Sequence, residues 1–161
     1  MFIVSRCLLG VNCKYNGGNN HRPNVVEFLQ NYAYVDVCPE CAGGLPIPRV
    51  PSEIAVVDGA ERVVSQTGKD VTEAFVRGAE LMLERALEAA RDAGEPIEGA
   101  ILKAKSPSCG VGQVYDGHFD GTLVEGNGIF TRLLLERGIP VYTEKNFLDE
   151  PEIGTVTENP Q

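Results

Sequence analysis

The chain has 161 residues, 43% of them apolar and 7% aromatic, enough to bury one core without staples, so a single domain spanning 1–161 is expected. With 23 acidic against 14 basic residues its net charge is −9, which repels phosphate backbones and makes nucleic acid a poor expectation for a partner. No apolar stretch nears the ~20 residues of a membrane span, no secretory leader pattern opens the chain, and the cysteines number five; a reduced, cytoplasmic protein without a membrane partner is expected, its thiols ligands or catalysts rather than bridges.

MFIVS is a β-branched run followed by Gly-Val-Asn and Asn-Gly-Gly, and reads as a first strand opening into a long loop that holds Cys13 and reaches Arg22. Pro23 suits the first turn of a helix, where its missing N–H costs nothing, and VVEFLQNY supplies the apolar positions. A second strand, Tyr34 to Val37, delivers Cys38. From Pro39 to Pro51 the sequence PECAGGLPIPRVP holds four prolines and two adjacent glycines, which predicts a rigid, irregular loop. Glu53–Val57 and Glu61–Val64, joined by Asp-Gly, read as a hairpin. Asp70 as N-cap, with Glu73 three residues on, opens a helix over Val71–Ala93 in which Phe75, Ala79, Met82, Ala86 and Ala90 recur at helical spacing; Gly94 closes it. A further apolar run, Gly99 to Ala104, leads to Cys109. GQVYDGHFDGTL alternates around a turn like an exposed hairpin, Asn127 caps a helix over Gly128–Arg137 that Gly138 stops, and IPVY forms a last strand. The acidic tail, about 150–161, is expected to be disordered.

Strand, helix, strand, helix, strand predicts an α/β fold: an open, mostly parallel, Rossmann-like sheet with helices on both faces and one or two β-hairpins. Ligand sites in such sheets lie beyond the carboxyl ends of the strands. Cys7, Cys38 and Cys109 fall there, each beside Gly, Pro or Ser.

A single cysteine is most often a small buried hydrophobe. Three thiols at three strand ends point instead to a metal centre with a coordination position left over, the mark of a catalytic metal. Cys38-Pro-Glu-Cys41 has a spacing that fits zinc, an iron–sulfur cluster or a redox dithiol. It runs into Gly-Gly-Leu-Pro rather than a long helix, against a thioredoxin-like site, and Cys7 and Cys13 stand too far apart for the second pair of a zinc ribbon. Up to Gly18 the only charged side chains are Arg6 and Lys14, and Lys103 and Lys105 precede the third cysteine; a locally positive pocket would suit a small anionic or electron-rich substrate.

SRCLLG-x-N-C-x-Y-x-G, CPE-x-x-GGLP-x-PR-x-P-x-E and LKAKSPSCG resemble, in this order and over nearly the whole chain, the signature blocks of the family long called domain of unknown function 523, associated with thiouracil desulfurases. The resemblance implies an α/β fold, a 4Fe-4S cluster held by three cysteines with one iron left open, and non-redox removal of sulfur from a thiolated pyrimidine. Carried onto matching positions, it implies Cys7, Cys38 and Cys109 as ligands and Glu40 and Ser106 as catalytic residues. Cys13 and Cys41 are then spare thiols near the site or a resting place for sulfur.

Thiolates and a soft cluster suit each other. Glu40, two residues from a ligand, is placed to activate water as a general base. Ser106 could orient that water or share a proton with the pyrimidine amide, although a turn hydroxyl is the commoner use of serine, and the amides of Ser108 to Gly110 are expected to donate to cluster sulfides. Arg49 reads either as a clamp for an anionic substrate group or as a bridge to Glu53. His21, His118, Asp116 and Asp120 read as surface or turn residues. The expected substrate is a small thiolated pyrimidine, base or nucleotide; the alternatives are a thiolated uridine in tRNA, or a zinc- or cluster-bearing binding module without turnover.

Overall fold

The computed structural model describes residues 1–148, so the expectation for the tail at about 150–161 lies outside the described residues. Strand β1 (Phe2–Ser5) is buried along its whole length. It runs into a 3-10 turn, Arg6–Leu9, that Gly10 ends with a left-handed φ of 93°. Helix α1 (Pro23–Leu29) starts on the expected proline, and β2 (Tyr34–Val37) returns parallel to β1.

The loop predicted from Pro39 begins instead with one turn of helix, α2 (Pro39–Ala42). Proline fits its first position because no N–H is needed there, while Cys38 stays extended at φ −138°, as a residue before proline must. The hairpin forms as read, from β3 (Ser52–Val57) and β4 (Ala60–Ser65). Asp58 and Gly59 turn it with φ of 52° and 78°, the doubly positive pair that matches strand twist.

Helix α3 (Thr72–Ala93) begins one residue later than its pattern suggests. One Asp70 oxygen accepts from the Thr72 amide at 2.9 Å and the other pairs with Arg62 at 2.7 Å. Strand β5 (Gly99–Leu102) stops before Ala104, because the Lys103 amide donates to Ser5 Oγ at 2.9 Å and the Ala104 amide to Glu144 Oε1 at 2.8 Å. A short hairpin of β6 (Gln113–Tyr115) and β7 (Leu123–Glu125) follows. Helix α4 (Ile129–Glu136) is capped by Gly128, not Asn127; the Asn127 side chain accepts from the Gly112 amide instead, at 2.8 Å. The chain then enters β8 (Val141–Thr143).

The four parallel strands lie in the order β2-β1-β5-β8. Period-two alternation gives the two central strands, β1 and β5, two buried faces. Ile3, Val37, Ala100 and Leu102 face α3 and α4 through Ala79, Ala86, Phe130 and Leu134, whereas Phe2, Val4 and Ile101 face α1 through Val25 and Leu29. This is the expected α/β sheet with helices on both faces and two small hairpins. Among the described residues no helix is long and apolar enough to cross a membrane.

Helix α2 rests directly on α3. A Cβ at Gly78 would lie 1.8 Å from the Pro39 carbonyl oxygen, and one at Gly43 would lie 2.0 Å from that of Ala74. Only glycine allows this approach, and Arg77 fastens it by donating to Gly43 O at 2.9 Å.

Candidate active site

Three connections leave the carboxyl edge of the sheet and converge. The turn after β1 carries Cys7, the β2–α2 junction carries Cys38 and Glu40, and the segment after β5 carries Ser106 and Cys109. This last cysteine is not directly past its strand; it sits in a separate turn that Ser106 organises. The Ser106 hydroxyl accepts from the amides of Ser108 at 3.1 Å and Cys109 at 2.8 Å, and the Gly110 amide donates to Ser106 O at 2.8 Å. The amides of Ser108 to Gly110 are therefore consumed inside the turn, which corrects the expectation that they donate to cluster sulfides. The start of α4 holds the turn from outside. Ile129 N donates to Pro107 O and Phe130 N to Ser108 O, each at 2.9 Å, and a Cβ at Gly128 would meet Ser108 C at 2.4 Å.

Between these connections lies a cavity of about 530 Å³ lined by Cys7, Cys13, Cys38, Cys109, Glu40 and Ser106, among others. Every residue expected to carry chemistry is thus brought to one place. Cys13, read as a spare thiol, is buried and neighbours Cys7 and Cys38 in the cavity, with the Cys38 thiol 4.0 Å from the Cys13 carbonyl oxygen. The neighbouring Cys13 thiol lowers Cys38 to a pKa of about 6 and holds Cys7 below the ordinary thiol range, while the same two neighbours together with burial push Cys13 itself up. Burial pushes Cys109 up to about 12 and Cys41 up to about 11. The Cys41 thiol points to the Cys13 carbonyl at 3.8 Å.

Among the described residues, no group of three or more His, Cys, Asp and Glu side chains closes on one point as the ligands of a single metal ion would. A cubane differs in this respect, since each thiolate binds a different corner and the sulfurs stand apart. Cys109 contacts Ser108 Oγ at 3.7 Å and feels Cys7 and Cys38 only through their charge. The donor set is soft and sulfur-rich, which suits iron–sulfur chemistry.

Glu40 has both oxygens engaged. Oε1 accepts from Arg49 Nε at 3.0 Å and Oε2 from Ser108 Oγ at 3.1 Å, and Ser106 Oγ lies 2.9 Å from Ser108 Oγ. Arg49 also donates to Cys13 O at 2.9 Å and Pro46 O at 3.1 Å. Burial works against its charge, but the adjacent Glu40 carboxylate more than offsets this and holds its pKa above the usual guanidinium value. Arg49 thus pairs with Glu40, neither bridging Glu53 nor standing unpaired for substrate. Glu53 accepts instead from the amides of Gly117 at 2.9 Å and Phe119 at 3.1 Å.

Five cations, Arg6, Lys14, Arg49, Lys103 and Lys105, line the cavity with the carboxylates of Glu40 and Glu53, and Arg49 is paired with Glu40. Arg6 and Lys103 are paired with Asp36 and Glu144; Lys14 and Lys105 have no ion pair among the described residues. His21 and His118 are exposed, and Asp116 and Asp120 accept from amides two residues on, at 2.9 and 3.0 Å, the turn roles read for them. Sequence reasoning missed the Ser108 hydroxyl, whose signal was its place in Ser-Pro-Ser-Cys, and Phe119, an aromatic ring set in Asp-Gly-His-Phe-Asp-Gly.

Comparison with known proteins places this geometry. The model of the 2-thiouracil desulfurase family matches residues 2–146. The uncharacterized protein YbbK of Bacillus subtilis is 36% identical over 155 residues, covering 92% of this chain and 99% of that protein. The solved structure of a 4Fe-4S-dependent thiouracil desulfidase, TudS, superposes with a TM-score of 0.78 at 40% identity, covering 98% of this chain and 97% of that one.

Proposed function

Since the chain belongs to the 2-thiouracil desulfurase family, we propose that it is an enzyme, a single domain over 1–161 working in the reduced cytoplasm, that exchanges the sulfur of 2-thiouracil or a related thiolated pyrimidine base or nucleotide for oxygen. Water supplies the oxygen and two protons, sulfide leaves, and no electrons are transferred. The observation that carries this reading is the convergence of four thiols, Glu40 and Ser106 on one cavity at the carboxyl edge of the sheet.

Cys7, Cys38 and Cys109 would hold a 4Fe-4S cluster, leaving one iron without a protein ligand. When bound, that iron supplies a Lewis acid for the thiocarbonyl sulfur. Cys7 and Cys38 suit the role because the neighbouring Cys13 thiol lowers the pKa of each. Cys109 must shed a proton that burial retains, so cluster binding releases protons.

Glu40 takes the proton of the water that attacks the ring carbon. Arg49 and Ser108 fix its carboxylate from opposite sides, so its position does not depend on substrate. Ser106 donates toward Ser108, and Ser108 toward Glu40. Once Glu40 is protonated the two hydroxyls can reverse, and Ser106 then presents a proton to the pyrimidine. The net charge of −9 favours a small substrate over a thiolated tRNA.

Anaerobic reconstitution of two variants tests the ligand set. Cys109→Ser is expected to lose the iron chromophore and Cys41→Ser to retain it; the reverse outcome overturns the assignment. A colourless, zinc-loaded wild type sinks the cluster. A brown protein that releases no sulfide from any thiolated pyrimidine puts the non-catalytic binding module ahead.

A further inference from the structure

Phe119 combines features that the desulfuration chemistry does not account for. It lines the same cavity and has a φ of 57°, left-handed backbone that a bulky side chain rarely adopts. Its loop, Asp-Gly-His-Phe-Asp-Gly, offers glycines and aspartates that tolerate this conformation better. Non-glycine residues held this way persist where the surrounding structure enforces them, and they concentrate at ligand sites.

The enforcing group is Glu53. It is 8% exposed and, among the described residues, has no ion pair; one of its oxygens accepts from both the Gly117 and the Phe119 amides, at 2.9 and 3.1 Å. A buried carboxylate without a cation is expensive unless charge-assisted hydrogen bonds satisfy it. Gly117 is pressed against β3 as well, since a Cβ there would lie 2.7 Å from Ala55 Cβ. The β6–β7 loop is therefore anchored on both sides of His118, and the anchor fixes the backbone that carries the ring of Phe119.

We infer that Phe119 is the face on which the planar ring of the substrate stacks, and that Glu53 is its positioning residue. The inference rests on the desulfurase reading for the identity of the ring. Stacking of a base on an aromatic side chain tolerates differences in ring substituents, because it uses the π face and not an edge. Phe119 would then bind the thiolated substrate and its oxygen-bearing product alike, leaving discrimination of sulfur to the thiol-lined end of the cavity.

The test uses reconstituted protein, steady-state sulfide release from 2-thiouracil, and equilibrium binding of uracil, which has no sulfur to be gripped. Phe119→Ala is expected to raise KM and the uracil Kd about fivefold or more, with kcat and iron content unchanged. Phe119→Leu, which retains apolar bulk, should follow it, and Phe119→Tyr should restore both values. Glu53→Ala should raise KM in the wild-type background and add little on top of Phe119→Ala, because the two act as a unit. Unchanged KM and uracil affinity in Phe119→Ala, or a wild type that binds no uracil, would overturn the stacking face. Failure of the wild type to release sulfide would instead overturn the desulfurase reading, and the uracil measurements would still decide the role of Phe119.

Discussion

Glu40 is held at both oxygens by residues from two other segments, Arg49 on one side and Ser108 on the other, so the single carboxylate expected to handle protons is fixed before any substrate arrives. Glu40→Gln preserves size and removes basicity. It is expected to leave iron content unchanged and lower kcat by about 10²–10⁴, the usual contribution of a general base; sulfide release near the wild-type rate would remove Glu40 from the role. Ser108→Ala, which leaves one oxygen unsupported, should cost about tenfold in kcat, a hydrogen bond's share of the barrier, with little change in KM. Residue-scale chemistry was only half legible in the sequence. Cys7, Cys38, Glu40 and Cys109 stand in compact motifs whose chemistry travels with the residue type. The Ser108–Glu40 contact joins positions 68 residues apart, and no local spacing announces it. Arg49 was visible as a cation, but its choice of Glu40 over Glu53 depends on how α2 docks.

That docking belongs to the element scale. Gly78 lets α2 lie against the backbone of α3, and α2 carries Glu40 and Cys41 and directly follows Cys38. By helix propensity alone, Gly78→Ala should stabilise α3 by about 1 kcal/mol. The Pro39 carbonyl 1.8 Å from the new methyl is backbone and cannot rotate away, and overpacking of this kind costs about 1–3 kcal/mol. The clash wins: Gly78→Ala is expected to lower thermal stability and impair iron retention together, as measured by calorimetry and iron content, whereas a higher melting temperature with full iron loading would contradict it. The same scale explains what the sequence pattern revealed. Helix α3 and the Asp58-Gly59 hairpin were legible because amphipathic period and turn chemistry are local. Helix α2 was hidden because proline and glycine normally break helices, and here they start and end one. The early stop of β5 and the capping of α4 by Gly128 follow from partners supplied by distant segments, namely Glu144, Ser5 and Gly112.

Over the whole molecule, an acidic chain of net charge −9 surrounds a cavity whose lining cations outnumber its carboxylates. The acidic surface repels polyanions, and of the lining cations Lys14 and Lys105 have no ion pair among the described residues. The parallel order β2-β1-β5-β8 puts every strand's carboxyl end on one edge, which is why thiols distant in sequence meet there. The sheet and its two helical faces followed from alternating strand and helix patterns, but the lining of the cavity and the place of Cys13 beside Cys7 and Cys38 required the assembled fold. The most direct measurement is a paired count of uracil and sulfide formed from 2-thiouracil by the anaerobically reconstituted protein, with no reductant added. The expected result is equal amounts of both from a brown protein carrying about four irons per chain. Turnover that required an electron donor, or a four-iron protein that produced neither, would contradict the proposed non-redox desulfurase built on Cys7, Cys38 and Cys109.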